Sequence, residues 1–158
     1  MVILGIDPGL ERVGYGVVDK QGSKLTVVAY GLITTPRLST PERLVLIYSE
    51  VLALLDKHAP VVACCERLFF SKNQTTGIDV AKALGVIQLA LSQRGLACHE
   101  FSPPEVKLGV VGHGGADKRQ VQFMVTKLLG LAEPPKPDDV ADALAVAVTG
   151  ALKGLRPE

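Results

Sequence analysis

Tryptophan is absent from these 158 residues, and aromatic side chains make up only 4% of them. A buried core therefore has to be built from Val, Leu, Ile and Ala, the mix that suits strands sandwiched between helices. Cysteine is scarce as well: Cys64, Cys65 and Cys98 give neither a CxxC pair nor an even number of partners, which excludes a disulfide-stapled scaffold. With no charged, apolar leader ahead of the first strand, a reduced, intracellular and cytoplasmic protein is the expectation. No uninterrupted apolar run approaches the roughly 18 to 20 residues that a membrane span needs. Charge of one sign is also lacking, because 17 Lys and Arg against 16 Asp and Glu leave a net +1. Any basic footprint must be local. Repeats, low-complexity tracts and long linkers are missing too, so one domain is expected over 1–153, with 154–158 as a flexible tail.

The hydrophobic pattern supplies the order of elements. Val2 to Ile6 is an apolar run that ends at Asp7-Pro8-Gly9, where Pro and Gly stop regular structure and leave a carboxylate at a strand end. Val13 to Val18 and Leu25 to Thr35 read as two further strands around the turn signal Lys20-Gln21-Gly22-Ser23, giving three antiparallel strands. Helical spacing then begins at Thr40, the expected cap, with Pro41 in the first turn and Leu44, Ile47, Val51, Leu54 and Leu55 on one face as far as His58. Val61 to Cys65 is continuously apolar, as in a strand buried on both faces, and ends at Glu66. Leu68 to Gln74 reads as a loop. Ile78, Ala81, Leu84, Gly85, Gln88 and Leu89 share a helix face, and Ala97 to Phe101 is a fifth strand. Helices follow at Pro103 to Val110, at Asp117 to Leu129 and at Asp139 to Leu152, with a glycine-rich loop at Gly112 to Gly115. The expected fold is α/β, with a mixed five-stranded sheet flanked by helices.

Four acids stand out against this frame. Asp139 and Asp142 are three residues apart on one helix and so share a face. Asp7 and Glu66 each close a buried strand, and neighbouring strands would bring them to one edge. Asp before Pro-Gly is an ordinary turn former, and Asp138 or Asp139 is an ordinary helix cap. Asp142 is less ordinary, because Val140, Ala141, Ala143 and Leu144 surround it. Converging carboxylates repel unless a proton or a cation intervenes. Oxygen-only ligation favours Mg²⁺, with Mn²⁺ as a substitute, and two such ions about 3.5 to 4 Å apart can hydrolyse a phosphodiester. The acids therefore point to a metal-dependent nuclease.

The motifs Gly5-Ile6-Asp7-Pro8-Gly9, Glu66 to Asn73, Val106-Lys107 with Val111 to Gly114, and Asp139 to Ala145 together resemble the RuvC family of bacterial Holliday-junction resolvases. The resemblance runs from residue 2 to about 150. It implies an RNase H-like fold, a homodimer, and Mg²⁺-dependent cleavage of a four-way DNA junction by symmetric nicks in two strands of like polarity. It places Asp7, Glu66, Asp139 and Asp142 on the family's four catalytic acidic positions. The third of these is His in some members, so Asp139 is open to a metal-ligand or a proton-handling role. Phe69 matches an aromatic that wedges at the junction centre, with Phe70 beside it, and Lys107 and Lys118 match basic residues near the scissile phosphate. Lys72 and Arg119 are further basic candidates for DNA. A branch-migration helicase complex is the family's partner, and the apolar face from Ile78 to Leu91 is the expected dimer contact. Cys64-Cys65 and Arg67 flank Glu66 as departures from that pattern.

Two other classes compete. An ATPase of the actin and Hsp70 type also ends its first strand in Asp and Gly beside phosphates, but it needs two such domains and a far longer chain. A non-catalytic junction-binding module is disfavoured by the full acidic set, since four carboxylates repel phosphate unless metals intervene.

Overall fold

Three consecutive β-rich segments form an antiparallel meander: β1 (Val2–Asp7), β2 (Arg12–Gln21) and β3 (Lys24–Thr34). Gly22, with φ of 61°, supplies the left-handed backbone at the tip of the β2–β3 hairpin, where glycine carries no Cβ penalty. The later strands are β4 (Val62–Glu66) and β5 (Cys98–Phe101), and the sheet order is β3-β2-β1-β4-β5. β4 runs parallel to β1, and β5 runs parallel to β4. Parallel neighbours need long crossovers, and α1 (Thr40–His58) and α2 (Gln74–Gln93) provide them. The helices α3 (Pro103–Val111), α4 (Lys118–Leu128) and α5 (Asp138–Leu152) complete the chain. This computed structural model describes residues 1–68 and 74–155, with the side chains of α2 described from Gly77 onward.

The α/β fold with three antiparallel and then two parallel strands matches the sequence expectation. One cap differs. Ser39, not Thr40, precedes α1, and its backbone N–H donates to the Glu42 carboxylate at 2.9 Å. A Glu three residues after the cap satisfies an orphan amide that Thr40 has no such partner to satisfy. Ser102 with Glu105 repeats the device at α3, and Asp117 with Gln120 at α4.

Side-chain alternation divides the core. Ile3, Val18, Val62 and Cys64 face α3, α4 and α5, whereas Leu4, Ile6, Val17 and Cys65 face α1 and α2. Burial pushes the Cys64 thiol up to about 12, so it behaves as a small apolar side chain. In α2 the buried seam is Ala83, Leu84, Ile87, Ala90 and Leu91, while Ile78 and Leu89 are 51% and 53% exposed. Of the face expected from the sequence, Leu84 alone is buried. The helix is apolar on more than one side, and periodicity does not say which side meets the sheet. Leu155, placed in the expected tail, packs against the core.

α5 lies directly on the sheet. A Cβ on Gly5 would stand 2.1 Å from the Ala143 carbonyl oxygen, and one on Gly14 would stand 2.1 Å from that of Asp139. Glycine in β1 against Ala143 and Ala147, and in β2 against Asp139 and Leu144, is thus what lets the helix approach closely. Gly5→Val is expected to lever α5 off the sheet and cost about 3 kcal/mol, read as a lower urea midpoint, with cleavage lost in the same variant because Asp142 moves with the helix. Among the described residues, no helix is long and apolar enough to cross a membrane.

Candidate active site

The β1–β4 register pairs Ile6 with Cys65, so the next residues, Asp7 and Glu66, end neighbouring parallel strands side by side. α5 brings the other two acids. From Val140 to Ala151 every residue of this helix is buried except Asp142, whose side chain is 34% exposed where the helix passes the sheet's carboxyl edge. Asp139 lies in its first turn, over β2, because Gly14 admits the Asp139 backbone there.

These carboxylates feel one another. Burial, then the charges of Asp142, Asp139 and Glu66, push Asp7 up to about 7, against a smaller opposing pull from Lys118. Glu66 is raised by burial and by Asp142, with Lys118 and Lys107 opposing. Asp142 is raised by burial even though Lys118 counteracts it. Asp7 is the centre of the group, since all three of the other acids act on it.

Cations stand around the acids. Lys118 Nζ lies 3.1 Å from both Asp138 and Asp142, and Arg12 Nε lies 3.4 Å from Asp139. Asp138, which the sequence offered only as an ordinary helix cap, is therefore a partner of Lys118 on the rim of the group. Arg12 carried no signal in the sequence: it begins β2, and only the landing of α5 on Gly14 puts it beside Asp139. Lys107 shares a cleft with Lys118, Glu66 and Asp142. Arg119 does not join them, because it lines a separate cleft with Phe123 and Met124 on the far side of α4. Arg67 borders the acids and reaches the Glu100 backbone oxygen at 3.4 Å. Phe69, Phe70 and Lys72 lie outside the described residues.

Three open clefts meet at the carboxylates. One of about 520 Å³ is lined by Asp7, Arg12, Arg43 and Asp139. A second of about 250 Å³ is bounded by Asp7, Glu66 and Arg67, and a third of about 230 Å³ by Glu66, Lys107, Lys118 and Asp142. Asp7 borders the first two and Glu66 the last two, so the acids sit in a continuous open trough, a shape suited to an extended strand rather than to an enclosed small molecule.

The donor set fits a hard divalent cation. Every candidate donor is a carboxylate oxygen, and burial together with the charges of the neighbouring acids keeps the Asp7 proton well above the usual carboxylate range, a conflict that a bound cation would relieve. Among the described residues, no three acidic, cysteine or histidine side chains already stand at closed ligand spacing.

Residues 3–150 match the family model for crossover junction endodeoxyribonuclease RuvC. The chain belongs to the RuvC family. RuvC from Brevibacillus brevis is 51% identical over 152 residues, covering 96% of this chain and 92% of that one. RuvC from Heliobacterium modesticaldum is 50% identical, with 94% and 92% covered. Among solved structures, Thermus thermophilus RuvC in complex with a Holliday junction substrate superposes with a TM-score of 0.92 at 36% identity, over 98% of this chain and 94% of that one. The yeast mitochondrial Holliday junction resolvase shares the fold, with a TM-score of 0.65 at 16% identity over 96% of this chain and 82% of that one. The family resemblance and the RNase H-like sheet expected from the sequence are thus both borne out.

Proposed function

We propose that this chain is a structure-selective endonuclease that resolves four-way DNA junctions in recombination and repair. In this reading it hydrolyses phosphodiester bonds in two strands of like polarity. The observation that carries the reading is the convergence of Asp7, Glu66, Asp139 and Asp142 in an open trough of a RuvC-family chain. A likeness to a relative solved with junction DNA supports the substrate.

Asp7, Glu66, Asp139 and Asp142 would hold Mg²⁺, two ions per subunit with Mn²⁺ as a substitute, which when bound supply an activated water and neutralise charge on the leaving oxygen. The chain's own groups do the rest. Lys118 and Lys107, on the Glu66 side of the trough, hold phosphate oxygens and stabilise charge that develops on them. Arg12 orients the Asp139 carboxylate, which serves as ligand or in proton handling. Phe69 stacks on an exposed base at the junction centre, worth about 1 to 3 kcal/mol, with Phe70 and Lys72 close by in the sequence as further DNA contacts. Arg119, at the end of α4 that carries Lys118, touches DNA outside the acidic trough.

Two nicks related by a two-fold axis require two sites, hence a homodimer. The exposed side of α2, with Ile78, Leu89 and an unobstructed Gly85, supports that contact, since large apolar side chains left in water at one helix face suit a partner. Leu89→Glu is expected to give a monomer in sedimentation, and a dimer of unchanged stability would exclude this face. A branch-migration helicase complex completes the proposed setting, in the cytoplasm.

The test uses a labelled four-way junction beside linear duplex of the same sequence, with Mg²⁺ or a chelator. Nicking confined to the junction and abolished by the chelator is the expected result. Equal nicking of both substrates would overturn the structure selectivity, and tight junction binding without cleavage in Mg²⁺ or Mn²⁺ would favour a binding module instead.

A further inference from the structure

Two thiols that the proposed reaction does not use lie in contact on the α2 side of the sheet. Cys65 Sγ is 3.1 Å from Cys98 Sγ. The β4–β5 register sets Ala63 opposite Cys98 and Cys65 opposite Glu100, so the cysteines stand two positions apart on neighbouring parallel strands and on the same face. Cys64 is excluded from the pair. It faces the opposite side, beneath α5, where a Cβ on Gly150 would meet its sulfur at 2.5 Å. Exposure differs between the partners: Cys65 is fully buried, whereas Cys98 is half-buried on β5, the edge strand of the sheet. A solvent oxidant therefore reaches Cys98 first and finds a second thiol already against it.

We propose that Cys65 and Cys98 form a reversible disulfide when the protein meets hydrogen peroxide. The Cys98 thiol attacks the peroxide and the O–O bond breaks, giving Cys98 sulfenic acid and water. Cys65 sulfur then attacks the Cys98 sulfur. The S–S bond forms, the S–O bond breaks, and the Cys65 proton leaves with the hydroxyl as a second water. The balance is two thiols and one peroxide to one disulfide and two waters. A small-molecule dithiol returns both cysteines to thiols by exchange. The sulfurs need to close by about 1 Å to reach bonding distance, and the two-residue offset between the cysteines requires the backbone of β5, the edge strand, to adjust along with the side chains. Because successive strand residues face opposite ways, Glu66 lies across the sheet from the bridge. The bridge closes the loop that contains α2 and constrains the unfolded chain over that length. Buried cysteines that merely filled space would be met equally well by alanine or valine; what marks this pair is the meeting of two sulfurs with solvent access to one of them.

The experiment exposes reduced protein to hydrogen peroxide, removes the oxidant, and counts thiols by alkylation under denaturing conditions with mass analysis. Labelled thiols are expected to fall from the three of the sequence to one, with the remaining label on Cys64 and full recovery after dithiothreitol. The thermal midpoint of the oxidised protein is expected to rise by about 5 to 10 °C. Cys98→Ser should abolish both effects, and Cys65→Ser should abolish the rise in midpoint and the bridge while Cys98 alone still oxidises and loses its label. Three labelled thiols after peroxide, a sulfinic acid at Cys98 with Cys65 still free, or a bridge that lowers the midpoint would overturn the proposal.

Discussion

Asp7→Asn is expected to slow junction cleavage by at least about 10³-fold while leaving the junction bound at least as tightly as before. Asp7 closes β1 at the centre of the acidic group, and it is the residue on which Asp142, Asp139 and Glu66 all act. Replacing its carboxylate by an amide removes one ligand charge and one oxygen donor at the point where divalent cations would sit. Losing several kcal/mol of stabilisation of the reacting phosphate corresponds to three or more powers of ten in rate. Binding follows a different term, because removing a negative charge from the trough lowers its repulsion of the DNA backbone. Single-turnover cleavage beside a gel-shift titration separates the two effects. A variant that cleaves within tenfold of the parent would remove Asp7 from the reaction.

The same substitution is expected to stabilise the metal-free protein at pH 8 by about 2 to 4 kcal/mol, and the gain should fade as the pH is lowered toward 4. The sign follows from the direction of the shift. Asp7 titrates near 7 when folded, against an ordinary value of 3.8. Between those values the folded chain holds a proton that the unfolded chain has released, so stability falls as pH rises through this window and levels off above about 7. Three pH units correspond to about 4 kcal/mol, an upper bound for a carboxyl that is not fully buried. Glu66 and Asp142 are raised too and add to the same slope. Glu105, pulled down to about 2 by its Ser102 cap and Lys153, acts in the opposite sense but only below its ordinary value of 4.5. Urea unfolding in a chelator at pH 5 and pH 8 reads the effect, and adding Mg²⁺ should recover much of the stability lost at pH 8. If wild type and Asp7→Asn have the same pH profile, Asp7 does not carry the strain assigned to it.

Most of the fold was legible because its signals are local. Proline and glycine after Asp7, the hairpin turn at Gly22 and the apolar run into Glu66 each mark a boundary within a few residues. The acids were legible for a related reason: carboxylates at two strand ends, and one in an alanine-rich helix, are anomalies that need no tertiary information. What the sequence concealed depends on packing. The close approach of α5 rests on Gly5 and Gly14, two ordinary-looking strand glycines whose importance appears only when the helix lies on them. Arg12 and Asp138 became part of the acidic site through that approach, and Arg119 was left outside it because consecutive helical residues point in different directions. The buried side of α2 was hidden by an apolar surface that extends around the helix, and the contact of Cys65 with Cys98 by a strand register that sequence alone does not set.

The most direct test of the central claim is a nick map of a four-way junction labelled on each strand in turn, with wild type and the four single acid-to-amide variants in Mg²⁺. Paired nicks at symmetric positions in two strands of like polarity, present in wild type and absent when Asp7, Glu66 or Asp142 is changed, are the predicted result. Cleavage that persists with Asp7→Asn or Asp142→Asn, or nicks scattered over all four strands, would contradict it.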